Sequence, residues 1–160
     1  VSVPIPEDPE RPSLGVGLRL EVGDLMLDAG ARDLATVRGA DTLAQALEGA
    51  VETQLGSDRL NVGFGFDRLA IGAFAHGVDS RRVYVKMQLV RTMSADRRVR
   101  DVRDVVFEDE ARFAALAGVD AQTAQRIADA ARRSREHMVH VVLETVAGDV
   151  LDLPLGGTGV

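Results

Sequence analysis

MVHVVLETVAGDVLDLPL, residues 138–155, is the stretch from which the architecture is read. Its two apolar segments, 138–146 and 150–155, read as strands, with Ala147, Gly148 and Asp149 supplying the turn between them. So short a connection makes the pair an antiparallel hairpin. Upstream, 99–107 is rich in Val but interleaved with Arg100, Asp101, Arg103 and Asp104, which predicts a half-exposed strand whose charges guard an edge. Earlier still, Val16, Leu18, Leu20 and Val22 alternate with Arg19 and Glu21, the period of a strand. Gly23-Asp24 offers a two-residue turn after it, and Leu25-Met26-Leu27 returns as its partner.

Helices are predicted between these strands. Asp41 is placed to accept hydrogen bonds from the first free amides of a helix over 42–55, in which Leu43, Leu47, Val51 and Leu55 recur every four residues beside Ala46 and Ala50. That helix ends near Gly56. A second is predicted over 80–93, capped by Asp79 or Ser80, with Val83, Met87 and Val90 inward and Arg81, Arg82 and Lys86 toward water. Two helical pieces, 108–117 and 120–134, are separated by Gly118; Asp120 caps the second, which turns Ile127, Ala128 and Ala131 inward. Between the first two helices, two glycines turn the chain at 61–67 and Phe64 and Phe66 anchor it to the core.

The fold class is therefore α+β: a small, mainly antiparallel sheet packed with two principal helices, plus an inserted helical segment around 108–134 before the C-terminal hairpin. Four prolines within the first twelve residues, mixed with Glu7, Asp8 and Glu10, predict an extended arm over 1–15, leaving 16–160 as one domain. With 160 residues and 46% hydrophobic content, the chain can bury a core of its own. Scarce aromatics leave that core to Val, Leu, Ile and Ala. A formal charge of -6 argues against tracking phosphate backbones, so nucleic acid is not an expected partner. The chain has no Cys, which excludes disulfides and thiolate metal sites and leaves the compartment open. No apolar run nears the roughly 20 residues of a membrane span, and neither secretion signal nor membrane partner is expected.

The chemical motifs are weak. Gly63-Phe64-Gly65 lacks the spacing and the Lys of a phosphate loop and reads as a turn. His137 and His140 would face opposite sides of a strand, His76 is remote in sequence, and no metal or other cofactor is predicted. Glu108, Asp109 and Glu110 are adjacent acids, better explained by the positive end of a helix than by acid–base chemistry. No nucleophile-elbow sequence sets a Ser beside a His and a carboxylate.

Several motifs resemble, in order, those of the baseplate wedge and sheath-initiator family of contractile phage tails and injection systems, often called gene-25-like or lysozyme-like. GDLML at 23–27, DLATVRG at 33–39 and DTLAQAL at 41–47 are similar to its opening hairpin, turn and helix. NVGFGFDRL at 61–69 looks like its aromatic-glycine turn, and residues 139–151 like its closing hairpin. After 89–95, where the family carries Glu-Pro-Arg, this chain has Asp96, Arg97 and Arg98: the acid and the arginine are kept and the proline is replaced. The likeness spans about two thirds of the chain, with 108–134 as an insertion.

The resemblance implies a structural, non-enzymatic baseplate component that joins the inner baseplate to the first sheath ring and initiates sheath assembly. Its partners would be baseplate wedge proteins and the sheath protein, with tube or hub proteins as further neighbours. The particle would assemble in the cytoplasm and could then be released. In that reading Asp96, Arg97 and Arg98 contact the wedge, while the charged strand (Val102, Val105) or the terminal hairpin (Val141, Leu143, Leu151, Leu153) meets the sheath. Two other classes stay open: a peptidoglycan hydrolase using two of Glu108, Asp109 and Glu144, and an adaptor in another assembly.

Overall fold

A computed structural model of the protein describes residues 12–28, 30, 32–73, 78–134 and 136–159. Residues 1–11 of the expected arm over 1–15, and His76, lie outside the described residues, while Leu14 of that arm is buried in the core. Elements in chain order are β1 (Val16–Leu18), β2 (Leu20–Glu21), β3 (Asp24–Leu25), β4 (Leu27–Asp28), β5 (Asp33–Leu34), β6 (Thr36–Arg38), α1 (Ala40–Glu52), α2 (Arg68–Ala73), α3 (Val78–Ser94), β7 (Val99–Phe107), α4 (Phe113–Leu116), α5 (Ala121–Ser134), β8 (Glu136–Thr145) and β9 (Val150–Gly159). The α+β class and the antiparallel closing hairpin are as the sequence predicts.

Three long strands form the central sheet in the order β7-β8-β9, antiparallel throughout. Both faces of β8 are covered, which explains why 139–143 is nearly continuously apolar instead of alternating. One face, carrying Val139, Val141 and Leu143 with Val105, Phe107, Leu153 and Leu155, packs in one core with Leu43, Leu47 and Val51 of α1 and Val85, Leu89 and Met93 of α3. Opposite it, Phe113 of α4 and Ala128 and Ala131 of α5 are buried, and the Phe113 ring meets His140 edge-on at 5.2 Å. The inserted segment thus covers the second face of the sheet. Its first part is not helical, however: 108–112 is turn, and α4 is only four residues long. Asp120 does cap α5, its Oδ1 accepting the Thr123 amide at 2.7 Å.

Both principal helices depart from expectation in detail. At the start of α1, Gly39 (φ 64°) turns the chain abruptly out of β6, so the helix begins at Ala40 and Asp41 lies in its first turn without capping it. It ends at Glu52 because Thr53 is extended and the chain goes on to pair with the glycine turn: the Phe66 amide donates to the Thr53 carbonyl at 2.8 Å, and the Leu55 amide to the Phe66 carbonyl at 3.0 Å. Gly65 is required there. Its φ is +112°, and a Cβ would lie 2.6 Å from the Thr53 carbonyl oxygen. Phe66 is fully buried by this turn, whereas Phe64 stays exposed and does not anchor it.

The inward face of α3 is not the predicted one. Val83, Met87 and Val90 are exposed, while Val85, Leu89 and Met93 are buried with Gln88 and Thr92. Both apolar sets recur at helical spacing, so periodicity admits either face, and packing against β7 selects one. The helix starts at Val78, which also puts the expected caps Asp79 and Ser80 inside it.

Six short strands precede α1 and form a three-armed module. β2 pairs with β3, β4 with β5, and β1 with β6. Their meeting point is closed by three backbone hydrogen bonds in a ring: Arg19 N–H to the Ala35 carbonyl, Ala35 N–H to Met26, and Met26 N–H to Arg19, at 2.8, 2.8 and 3.1 Å. The first hairpin turns at Val22-Gly23, one residue earlier than predicted, because Glu21 pairs with Asp24.

Candidate protein-interaction surface

Only four residues separate the end of α3 from the start of β7, and Asp96 organises them. Its Oδ1 accepts the backbone amide of Arg98 at 2.9 Å, a local bond that holds the reversal. The guanidinium of Arg98 closes on the same carboxylate in bidentate fashion, Nε to Oδ1 at 3.0 Å and Nη2 to Oδ2 at 2.6 Å. Nη1 of Arg98 then donates to the Leu14 carbonyl at 3.0 Å, and the Arg98 carbonyl accepts the amide of Val146 at 2.9 Å. Hydrogen bonding from Arg98 holds the Asp96 carboxyl below the usual carboxylate range, outweighing the upward push of burial. Of the three residues assigned to wedge contact, Asp96 and Arg98 therefore face each other as an internal staple joining three segments. Arg97 is the one left exposed.

Beside this corner lies a hollow of about 570 Å³, lined by Leu20, Ala46, Ala50, Phe64, Thr92 and Arg98 among others. Gln45 of α1 fixes its upper wall: Nε2 donates to the Leu18 carbonyl and Oε1 accepts the Leu20 amide, both at 2.8 Å. This two-point bridge between α1 and the three-armed module was not foreseen. The signal available was a polar residue between inward Leu43 and Leu47.

The six residues that mark the strands assigned to sheath contact turn their side chains into the molecule. Val105, Val141, Leu143 and Leu153 are buried in the core, and Val102 and Leu151 pack half-buried against it. Val141 and Leu143 belong to β8, which is paired on both sides. The apolar residues that make these strands legible are the ones the sheet turns inward. Among the described residues no strand pairs with the outer edge of β9 or of β7, and on β7 the Val105 and Phe107 amides are taken by the Asp104 and Glu110 carboxylates.

The acidic run at 108–110 meets α3 and β8 instead of starting a helix. Glu108 is 2% exposed; its Oε1 lies 2.7 Å from His137 Nδ1 and 3.5 Å from Arg82, and its Oε2 accepts the Met138 amide at 3.2 Å. Asp109 pairs with Arg82 at 2.5 Å and Glu110 with Lys86 at 2.7 Å. Arg82 and Lys86 also lie over the Phe107 ring, so these two cations are not simply directed to water. Glu144 is bound by Arg100, at 3.0 Å, and by Arg103. Each of the three carboxylates considered for hydrolysis is thus held by an arginine. His140 sits on the other face from His137 and pairs with Asp152 at 2.9 Å. Among the described residues, no group of three or more His, Cys, Asp or Glu could hold a metal ion, and no helix is long and apolar enough to cross a membrane.

Comparison with protein-family models, with curated proteins and with solved structures finds no match to this chain.

Proposed function

We propose that the chain is a structural, non-enzymatic component of a contractile phage-tail-like particle, seated on the inner baseplate and joined to the first sheath ring. The observation that carries this reading is the three-stranded sheet whose outer strands, β7 of nine residues and β9 of ten, have no strand paired on their far side among the described residues, although Asp104 and Glu110 already accept the Val105 and Phe107 amides of β7. Such edges bind an incoming strand through main-chain hydrogen bonds and need no deep pocket. Charges along β7 and Pro154 in β9 are the devices by which a sheet keeps open edges from promiscuous pairing until the right strand arrives. The ordered motifs similar to the baseplate wedge family support the same reading. Wedge contact falls to Arg97 and the adjacent hollow, because Asp96 and Arg98 are occupied with each other.

The test is to recover the tagged protein from its native host and examine the eluate by mass spectrometry and negative-stain microscopy. Sheath, tube and wedge proteins in rod-shaped particles are expected. In the same host, Arg97→Glu should abolish sheathed particles while leaving the thermal unfolding of the purified chain unchanged. Normal particles from that variant would remove Arg97 from the contact, and a lone chain from the wild type would sink the reading.

A further inference from the structure

The two outer strands of the sheet are not equivalent. On β7 the Val105 and Phe107 amides are taken by the Asp104 and Glu110 carboxylates, and two register shifts interrupt its pairing with β8. β9 pairs with β8 without a shift from Val150 to Gly156. The phase of that ladder is set at the closing turn, where the Thr145 amide donates to the Asp149 carbonyl at 2.9 Å. Leu151, Leu153 and Leu155 therefore bond to β8, and Asp152 presents its N–H and C=O outward. Pro154 lies in the same outward phase, where its missing N–H takes no bond from β8.

Beside that edge the helices leave a charged groove. α3 packs over β7 and α1 over β9. Ala46 and Ala50 lie on the flank of α1 that faces Thr92 and Ala95 of α3, so Glu48 and Glu52, on the opposite flank, overhang the outer side of β9. A hollow of about 460 Å³ separates them from the strand, lined by Glu48, Glu52, Arg68, Pro154 and Leu155 among others. The two carboxylates are one helical turn apart, where like charges repel. Burial together with Glu52 holds the Glu48 carboxyl above its usual range. Among the described residues neither acid has an ion-pair partner, and Arg68 directs its Nη2 to the Val51 carbonyl at 3.1 Å. The strand carboxylates of Asp104, Glu144 and Asp152, by contrast, are each paired.

Resting on the reading that a sheet edge takes a partner strand, we propose that the receiving edge is β9 and that the incoming strand carries a Lys or Arg opposite Leu155. Residues directly opposite one another in a sheet point to the same face, and Leu155 points to the helix face. A side chain opposite it therefore enters the hollow beside Glu48 and Glu52, where a cation relieves their repulsion and an anion adds to it. A second copy pairing through its own β9 is a poorer occupant, because 150–159 contains no Lys or Arg.

Fluorescence anisotropy of the full chain with two labelled peptides of alternating Val and Thr, one with a central Lys and one with a central Glu, tests it. The Lys peptide should bind about tenfold more tightly, a preference that shrinks with added salt. On binding, hydrogen exchange should slow in 150–156 and not in 99–107. Glu48→Gln with Glu52→Gln, at exposed positions, should remove the preference without lowering the melting temperature. Glu48→Lys with Glu52→Lys should reverse it, which a folding defect does not do. Equal binding of both peptides with β9 protected would overturn the choice of a basic residue and leave the strand reading standing, whereas no binding of either would remove both. Protection of β7 in place of β9, or a Lys preference kept by the double Gln variant, would also overturn the proposal. So would a sedimentation-detected dimer that the Lys peptide dissociates, which assigns the edge to a second copy.

Discussion

Arg98 directs its guanidinium inward, to the Asp96 carboxylate and the Leu14 carbonyl, and so acts as a fastener for the corner it occupies. Arg98→Ala should therefore lower unfolding free energy by about 1–2 kcal/mol at neutral pH, the range for a partly solvated charged hydrogen bond. The sign of the pH dependence follows from Asp96. Its carboxyl is lower in the folded state than unfolded, so its contribution is complete above the ordinary Asp value of about 3.9 and is lost as pH falls through the lowered folded value. Denaturant titrations of wild type and variant should differ fully at pH 6, and the difference should shrink in acid to what the Arg98 bond to the Leu14 carbonyl contributes. Gly65→Ala belongs to the same scale: a positive φ and a 2.6 Å approach to a backbone oxygen leave no room for a methyl group, and a loss of about 2 kcal/mol or more is expected in the same titration. Sequence reasoning could find a glycine turn at this place. It could not find the carbonyl of Thr53 pressed against it, because that contact joins segments twelve residues apart.

Among the elements, α3 separates what periodicity supplies from what packing decides. Leu89→Ala, in the buried stripe, should cost about 2–5 kcal/mol, whereas Met87→Gln, in the exposed stripe, should stay within about 0.5 kcal/mol. Thermal unfolding of the two variants distinguishes the faces, and the reverse order would restore the face predicted from sequence. The inserted segment teaches a related lesson. Its acids at 108–110 read locally as a helix start, yet three basic or imidazole groups from elsewhere in the chain, Arg82, Lys86 and His137, hold them in a turn. Local electrostatics favour a helix N-terminus only until stronger partners arrive through the tertiary fold.

At the scale of the whole molecule, stability should be layered outward from β8. Amides of β8, the strand paired on both sides, should exchange with solvent most slowly, and those of β2 and β3 in the first arm fastest, as hydrogen-exchange mass spectrometry can check. Uniform protection across arms and sheet would contradict the picture of an exposed module fastened to a packed core by Gln45 and Arg98. The sequence by itself determined the antiparallel closing hairpin, the bounds of β7 at Val99–Phe107, the existence of α1, α3 and α5, and the cap at Asp120. These are legible because hydrophobic period, turn residues and caps act over a few neighbours along the chain. Only the tertiary structure decided which stripe of α3 is core, that the valines and leucines of the long strands face inward, that Asp96 and Arg98 fasten each other, and that the arms present leucines to water. Each of those choices turns on groups distant in sequence competing for the same buried space or the same charge, and no local pattern contains both competitors.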